Sequence, residues 1–366
     1  MKVGSSLLTD PKKGGIRSLF LGNLARQVLD LTSRGFEVVV VTSGAISAGA
    51  FKLGLTRRPK EVSKLQALAA AGQSRLMGGY EKAFQKVGLK VAQILLTRED
   101  LAERERYTNL HNTFKELFDY GIVPIVNEND SVAVDEIRFG DNDTLGALVT
   151  HLSEADLLII LTDIDGFYSE DPRMNPQAHL IHEVERISAE LEKGARNTQS
   201  SVGTGGMQTK IRAARSLMQS GIPMVIGHGN RSQILKKIMD GEKVGTLFIP
   251  TVHRMTSRKR WLAWGVPTQG EIIVDEGAKK AILERNGSLL AIGIKGIRGD
   301  WGRGSVVSIL DGAGQMLAKG ISNYSCQELS AIKGLRNGEI AQKTGVPAQE
   351  VVHVDNLVVM GSGLSA

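Results

Sequence analysis

The run Thr204-Gly205-Gly206-Met207-Gln208-Thr209-Lys210 joins glycines, which leave backbone N–H groups free for anionic oxygens, to a lysine carrying a full charge. That combination suits a phosphate. A helical pattern follows, with Ile211, Ala214, Leu217 and Met218 on one face, so the positive end of a helix dipole is aimed at the same anion. The spacing is not that of a Walker A loop. Near the N-terminus, Lys2-Val3-Gly4-Ser5-Ser6 places a second lysine ahead of a small-residue loop. Val41-Thr42-Ser43-Gly44-Ala45-Ile46 reads as a strand entering a helix through small residues, whose free N–H groups suit a carboxylate or a tight packing contact.

Acids and amides crowd two further segments, Asn127-Glu128-Asn129-Asp130 and Gly140-Asp141-Asn142-Asp143. They outnumber the caps and turns required locally. Asp143 is the expected N-cap of a helix over 144–152, and the group as a whole suits an ammonium ligand and the fixing of lysines that meet phosphate. Thr162-Asp163, Gly166-Phe167-Tyr168 and Asp171-Pro172-Arg173 add polar groups fit for nucleoside contacts or for a surface bend. The HExxH, paired CxxC and GxSxG patterns are missing, and the seven histidines are scattered, with His179 and His182 the only close pair. Transfer to an oxygen already ionised needs positioning and charge neutralisation rather than a general base.

The elements that must position these residues follow a βαβ order. Val38–Thr42, Val91–Leu96, Ile122–Val126, Leu157–Thr162 and Ile222–Ile226 are β-branched apolar runs, and between them Leu21, Leu24, Val28 and Leu31, then Leu110, Phe114, Leu117 and Phe118, form helical stripes. Strands apolar on both sides imply a mostly parallel open sheet between helical layers, an α/β architecture whose ligands gather at the strand carboxyl ends. After about Pro250 short strands alternate with Gly-rich turns (271–274, 289–294, 305–310, 315–321), with a short helix over 278–285, which indicates a small β-rich domain.

The 366 residues suit two domains, and 42% apolar with 23% charged content excludes disorder and fibre. No run is long enough for a bilayer span, the N-terminus lacks the apolar block of a signal peptide, and the single cysteine, Cys326, fits a reducing compartment; a cytoplasmic location is expected. The net charge of +6 is concentrated at 251–267, where Arg254, Arg258, Lys259 and Arg260 stand without an acid, whereas residues 268–366 hold ten Lys/Arg and ten Asp/Glu, a difference of zero. A solvated basic hinge is the expected reading of 251–267; RNA contact beside Trp261 and Trp264 is the alternative.

Taken together, KVGSSLLT at Lys2, VTSGAI at Val41, AAAGQSRLM at Ala69, LLTRED at Leu95, NENDSVA at Asn127, GDNDTL at Gly140, LTDIDGFY at Leu161 and TGGMQTK at Thr204 resemble the amino acid kinase family over nearly the whole chain. Within it they resemble the glutamate 5-kinases, which carry an appended PUA-like domain. The resemblance implies a kinase domain over 1–250, a linker over 251–267 and a PUA-like domain over 268–360. It implies ATP-dependent phosphorylation of the L-glutamate side-chain carboxylate to L-glutamyl 5-phosphate, the first step of proline synthesis, with Mg²⁺, homo-oligomers and feedback inhibition by proline. Lys2 and Lys210 then stabilise the transferring phosphoryl group, and Asp143 holds both lysines. Ser43, Asp130 and Asn142 match glutamate contacts; Lys2, Thr162, Asp163 and Thr204, Gly205, Gly206, Met207, Gln208, Thr209 and Lys210 match ATP contacts. Protein ligands to Mg²⁺ are not singled out, although Asp141 and Asp143 lie near the phosphate in this layout. An RNA-binding protein acting through the PUA-like domain, and a kinase with another acceptor, are the alternatives. The family carries several apolar residues ahead of its first lysine and here only Met1 precedes Lys2, so the first strand is expected to be short or clipped, with a cost in activity.

Overall fold

A computed structural model describes residues 1–9, 15–55, 57, 59–133, 141–170, 172, 174–175, 177–188, 191–192, 206–285, 287–344 and 347–360. The chain divides into two compact units, Met1–Arg254 and Met255–Ala366.

In the first unit an eight-stranded sheet has the order β3-β4-β2-β1-β5-β9-β10-β8. The strands are β1 (Lys2–Val3), β2 (Val40–Val41), β3 (Lys90–Leu96), β4 (Ile122–Glu128), β5 (Leu158–Thr162), β8 (Glu183–Val184), β9 (Met224–His228) and β10 (Thr246–Phe248). A two-stranded ribbon, β6 (Phe167–Tyr168) with β7 (Leu180–Ile181), stands apart. Neighbours from β3 to β9 are all parallel, and the β9–β10 pair is antiparallel. Parallel pairing puts the carboxyl ends of β4, β2, β1, β5 and β9 on one edge. Short as it is, β1 sits at the sheet centre, with Lys2 in register with Val41 on one side and Ile160 on the other.

Alternation along the strands sorts the side chains into two apolar layers. Val3, Val40, Val123, Ile125, Ile159 and Leu161 join the helices Ser18–Ser33 and Val62–Gln85 on one face. The opposite face takes Val39, Val41, Val126, Leu158 and Ile160, covered by the helices Arg104–Asp119, Asn142–Leu152 and Met207–Gln219. Because Val3 belongs to the first face, Lys2 must point to the second. Gly146, on the helix above it, makes the room: a Cβ there would lie 3.4 Å from the Lys2 Cβ.

The second unit holds a five-stranded sheet of order β12-β11-β13-β14-β15, from β11 (Gly270–Val274), β12 (Ile294–Gly299), β13 (Val306–Leu310), β14 (Met316–Ile321) and β15 (Leu357–Val359). The run 289–294, expected as a strand, is mostly not one. It leads through a tight helical turn at Ala291–Gly293, and the strand is the following Ile294–Gly299. Pairing decides this: 294–299 runs antiparallel to β11, with Gly296 and Gly299 in register and a shift between Ile273 and Val274 that skips Lys295. The segment expected as a solvated hinge is also folded. Ser257–Arg260 and Trp261–Gly265 are helical, Leu262 and Ala263 are buried with Val306, Val358 and Met360, and Trp261 and Trp264 pack on that cluster. Arg260 is buried, donating to Met255 O (2.7 Å) and Ser257 Oγ (3.3 Å). The apolar residues between the charges outweigh them.

Candidate active site

Three chain segments converge above the centre of the parallel sheet. Lys2 projects from β1; Asp143 lies in the first turn of the helix Asn142–Leu152; Lys210 lies in the first turn of the helix Met207–Gln219. Asp143 is fully buried, and its two oxygens are shared: Oδ1 meets Lys2 Nζ at 2.7 Å and Oδ2 meets Lys210 Nζ at 3.0 Å. Thr209 Oγ1 adds a third contact, 2.7 Å from Oδ2. Burial alone would raise the Asp143 pKa, but the neighbouring Lys2 and Lys210 charges and their hydrogen bonds override it and hold the carboxyl well below the usual carboxylate range. Two ammonium groups, each under a tenth exposed, thus share one carboxylate. Such a pairing is built to receive an anion.

Asp141, not Asp143, caps the helix. Its Oδ1 accepts from Thr144 N at 2.7 Å and its Oδ2 from Thr144 Oγ1 at 3.0 Å. The helix starts at Asn142, two residues earlier than expected, which releases Asp143 to face inward. Burial, and then the Asp143 charge, raise the Asp141 pKa. Both carboxylates are therefore committed to protein donors. Among the described residues no cluster of three or more metal-ligating side chains occurs.

The remaining expected residues lie at strand ends and helix starts of the same unit. Ser43 follows β2 and leads into the helix Ala45–Lys52, where Gly44 takes φ 98° and supplies no side-chain cap, so the first N–H groups stay available. Asn142 donates from Nδ2 to Thr42 O and to Asn127 Oδ1, the latter at 3.0 Å. Asp130 lies in the turn after β4. Thr162 ends β5, its hydroxyl 3.1 Å from Asp163 Oδ1, with Asp163 exposed. Gly206 precedes the helix Met207–Gln219, also without a side-chain cap. Met207 turns its side chain into the apolar core, Gln208 is exposed, and Thr209 and Lys210 face Asp143. Thr204 and Gly205 lie outside the described residues, as do Gly140, Asp171 and Arg173.

Sequence reasoning missed four contributors. Gln73 accepts through Oε1 from Nδ2 of Asn127, itself one of the amides singled out in the sequence, at 2.9 Å. Tyr80 pairs its buried hydroxyl with Thr42 Oγ1 at 2.8 Å, beneath the Ser43 turn, and burial pushes its pKa up strongly. Gly49 and Gly72 interlock two helices: a Cβ on Gly72 would come within 1.9 Å of Ala45 O, and one on Gly49 within 1.9 Å of Leu68 O. That close approach seats the helix bearing Gln73 and Tyr80 against the helix that follows Ser43. The small residues of the run AAAGQ at Ala69 are the only sequence signal for it.

A family model for the amino acid kinase family matches residues 1–228. The chain belongs to the amino acid kinase family. A PUA domain model matches residues 270–343, within the second unit. Glutamate 5-kinase of Geobacter sp. (strain M21) is 48% identical over 361 residues, spanning 98% of this chain and 96% of that protein. The glutamate 5-kinase of Dehalococcoides mccartyi is 48% identical over 98% of this chain and 97% of its own length, and that of Carboxydothermus hydrogenoformans 47% over 98% and 96%. As a member of this kinase family the chain is a phosphotransferase that uses ATP. Its two buried lysines, sharing one aspartate, lie with the uncapped helix start at Gly206, an arrangement suited to an anion. Among the described residues no helix is long and apolar enough to cross a membrane.

Proposed function

We propose that this kinase transfers the γ-phosphoryl group of ATP to the side-chain carboxylate of L-glutamate, forming L-glutamyl 5-phosphate, the first step of proline synthesis. The observation that carries the proposal is the buried Lys2–Asp143–Lys210 cluster at the carboxyl edge of the sheet, beside a polar recess of amides. The acceptor is the one after which these glutamate 5-kinase relatives are named.

A carboxylate oxygen of the acceptor attacks the γ-phosphorus, the bond from that phosphorus to the β,γ-bridging oxygen breaks, and the bridging oxygen leaves with ADP. No proton moves. Lys2 and Lys210 neutralise the equatorial oxygens of the transferring group, and Asp143 keeps both ammonium groups aimed there with help from Thr209. Ser43 and the free N–H groups after Gly44 receive a carboxylate, Asn142 and Asp130 receive the ammonium group, and Thr162, Asp163 and the 204–210 loop hold the nucleotide. Mg²⁺ bound with the nucleotide supplies further charge neutralisation of the phosphates. Proline as an inhibitor at the glutamate recess, assembly into homo-oligomers and a cytoplasmic location complete the proposal.

ADP release with L-glutamate, coupled to hydroxylamine trapping of the acyl phosphate, tests this reading. Glutamyl hydroxamate formed in step with ADP, and suppressed by proline, is the expected result. ADP release without hydroxamate, or with carbamate or another amino acid as the better acceptor, overturns it.

A further inference from the structure

Four polar groups beside the cluster form a hydrogen-bonded relay whose direction is fixed by its anchor. Thr42 O is a backbone carbonyl and can only accept, so the Asn142 atom facing it must be the amide nitrogen. That nitrogen also faces Asn127 at 3.0 Å, so the Asn127 atom there must be the oxygen. Asn127 then turns its nitrogen to Gln73 at 2.9 Å, and the Gln73 atom that meets it must be the oxygen. One carbonyl thus orients three amides, none of which can flip alone without setting like against like.

The relay ends on an unused donor. Gln73 Nε2 is buried and, among the described residues, has no hydrogen-bond partner. A buried amide donor left unmatched is costly, and its best partner is an anionic oxygen. The position selects which one. Asn127 follows Val126, which is in register with Val41, which is in register with Lys2, so β4 lies two strands from β1, about 10 Å across the sheet. The lysines stand over β1, and Gln73 meets the β4 end of this row through Asn127 from the opposite face of the sheet, so an extended dicarboxylic amino acid lying across the carboxyl edge can reach a donor at each end.

Resting on the glutamate kinase reading, we infer that Gln73 is a specificity-determining residue that donates from Nε2 to the non-reacting α-carboxylate of the acceptor. Relay polarity makes it a donor. The lysines take the reacting end; Gln73 registers the other, and so fixes how far the reacting carboxylate stands from the phosphoryl group.

Gln73→Glu is the decisive variant, because it keeps an oxygen for Asn127 Nδ2 and replaces the terminal donor with a charged acceptor that repels a carboxylate. Its KM for L-glutamate should rise about 10- to 100-fold, with KM for ATP within about twofold, since the nucleotide lies at the other end of the row. The apolar near-isostere Gln73→Met should raise the same KM by a smaller factor, and its melting temperature reports whether the fold survives. The α-carboxamide of L-glutamate gives a sign change: wild type should prefer glutamate, and Gln73→Glu should prefer the amide, whose NH₂ can donate to the substituted carboxylate. An unchanged glutamate KM and unchanged acceptor preference in Gln73→Glu, with wild type active, overturns the role of Gln73 alone. A wild type that makes no hydroxamate from glutamate overturns both this role and the proposed function.

Discussion

Each unit contains a buried aspartate held by lysine, and the two differ in stoichiometry. In the second unit Asp311 takes one cation, Lys279 at 2.9 Å, and turns its other oxygen to the N–H groups of Ala313 and Gln315 at 3.0 and 2.9 Å. Its partners come largely from its own turn between β13 and β14. The Lys279 hydrogen bond and these N–H groups lower its pKa. Asp143 in the first unit takes two cations and a hydroxyl from two distant segments, at 2.7, 3.0 and 2.7 Å. One pair is closed on itself and fixes a hairpin. The other carries more positive than negative charge in direct contact, away from bulk water, and is complete only with an anion. A buried ion pair is weak evidence of stability in either case; the surplus cation is what distinguishes a site from a strut.

Removing a surplus cation should therefore have the largest effect. Lys210→Ala and Lys2→Ala are each expected to lower kcat by about a thousandfold or more, measured by ADP release at saturating substrates, while circular dichroism stays native. A loss under tenfold in either would put Asp143 and Asp311 in the same class. Asp143→Asn should reduce kcat about a hundredfold, since the lysines lose their common anchor but keep their charge. The same variant tests the pH dependence. A carboxyl whose folded pKa is depressed contributes stability that is fully present above its unfolded value, about 3.9, and lost as pH falls through that value toward the folded one. Denaturant melts of wild type below about pH 4 should show that loss in the first unit, and Asp143→Asn should lack that component. An identical acid limb in both proteins would remove the assigned shift.

Gly72→Ala sharpens the comparison from the packing side. The added Cβ must push apart two helices at a 1.9 Å contact, with an expected cost of about 1–3 kcal/mol and a raised KM for glutamate, read by chemical denaturation and steady-state kinetics. Neutral behaviour would mean that the helix bearing Gln73 and Tyr80 is not held by this contact. The smallest effect belongs to the closed pair: Lys279→Ala should leave kcat and both KM values within about twofold and lower the melting temperature by less than about 5 °C.

The sheet was legible in the sequence because strands buried on both faces read as continuous apolar runs, as in Leu158–Thr162. Grouping Lys2, Asp143 and Lys210 came from resemblance; the alternation that turns Lys2 away from Val3 gives the physical reason they meet. The cap expected at Asp143 falls on Asp141 because an aspartate at either position satisfies cap chemistry, and only the helix start decides between them. Trp261 to Trp264 misled because four basic residues in the segment dominate its composition while its apolar residues decide its packing. Gln73 left no local signature: its meaning depends on a carbonyl 31 residues earlier and amides 54 and 69 residues later, and no single-segment pattern contains that information.

The most direct test of the cation surplus is the affinity of the ADP–aluminium fluoride complex, a mimic of the transferring phosphoryl group, in the presence of L-glutamate. Lys210→Ala should weaken it at least about a hundredfold while weakening ATP binding less than about tenfold, because the lysine acts on charge that develops in transfer. Equal losses for both ligands, or no loss for either, would contradict the assignment of Lys2, Asp143 and Lys210 as the centre of phosphoryl transfer.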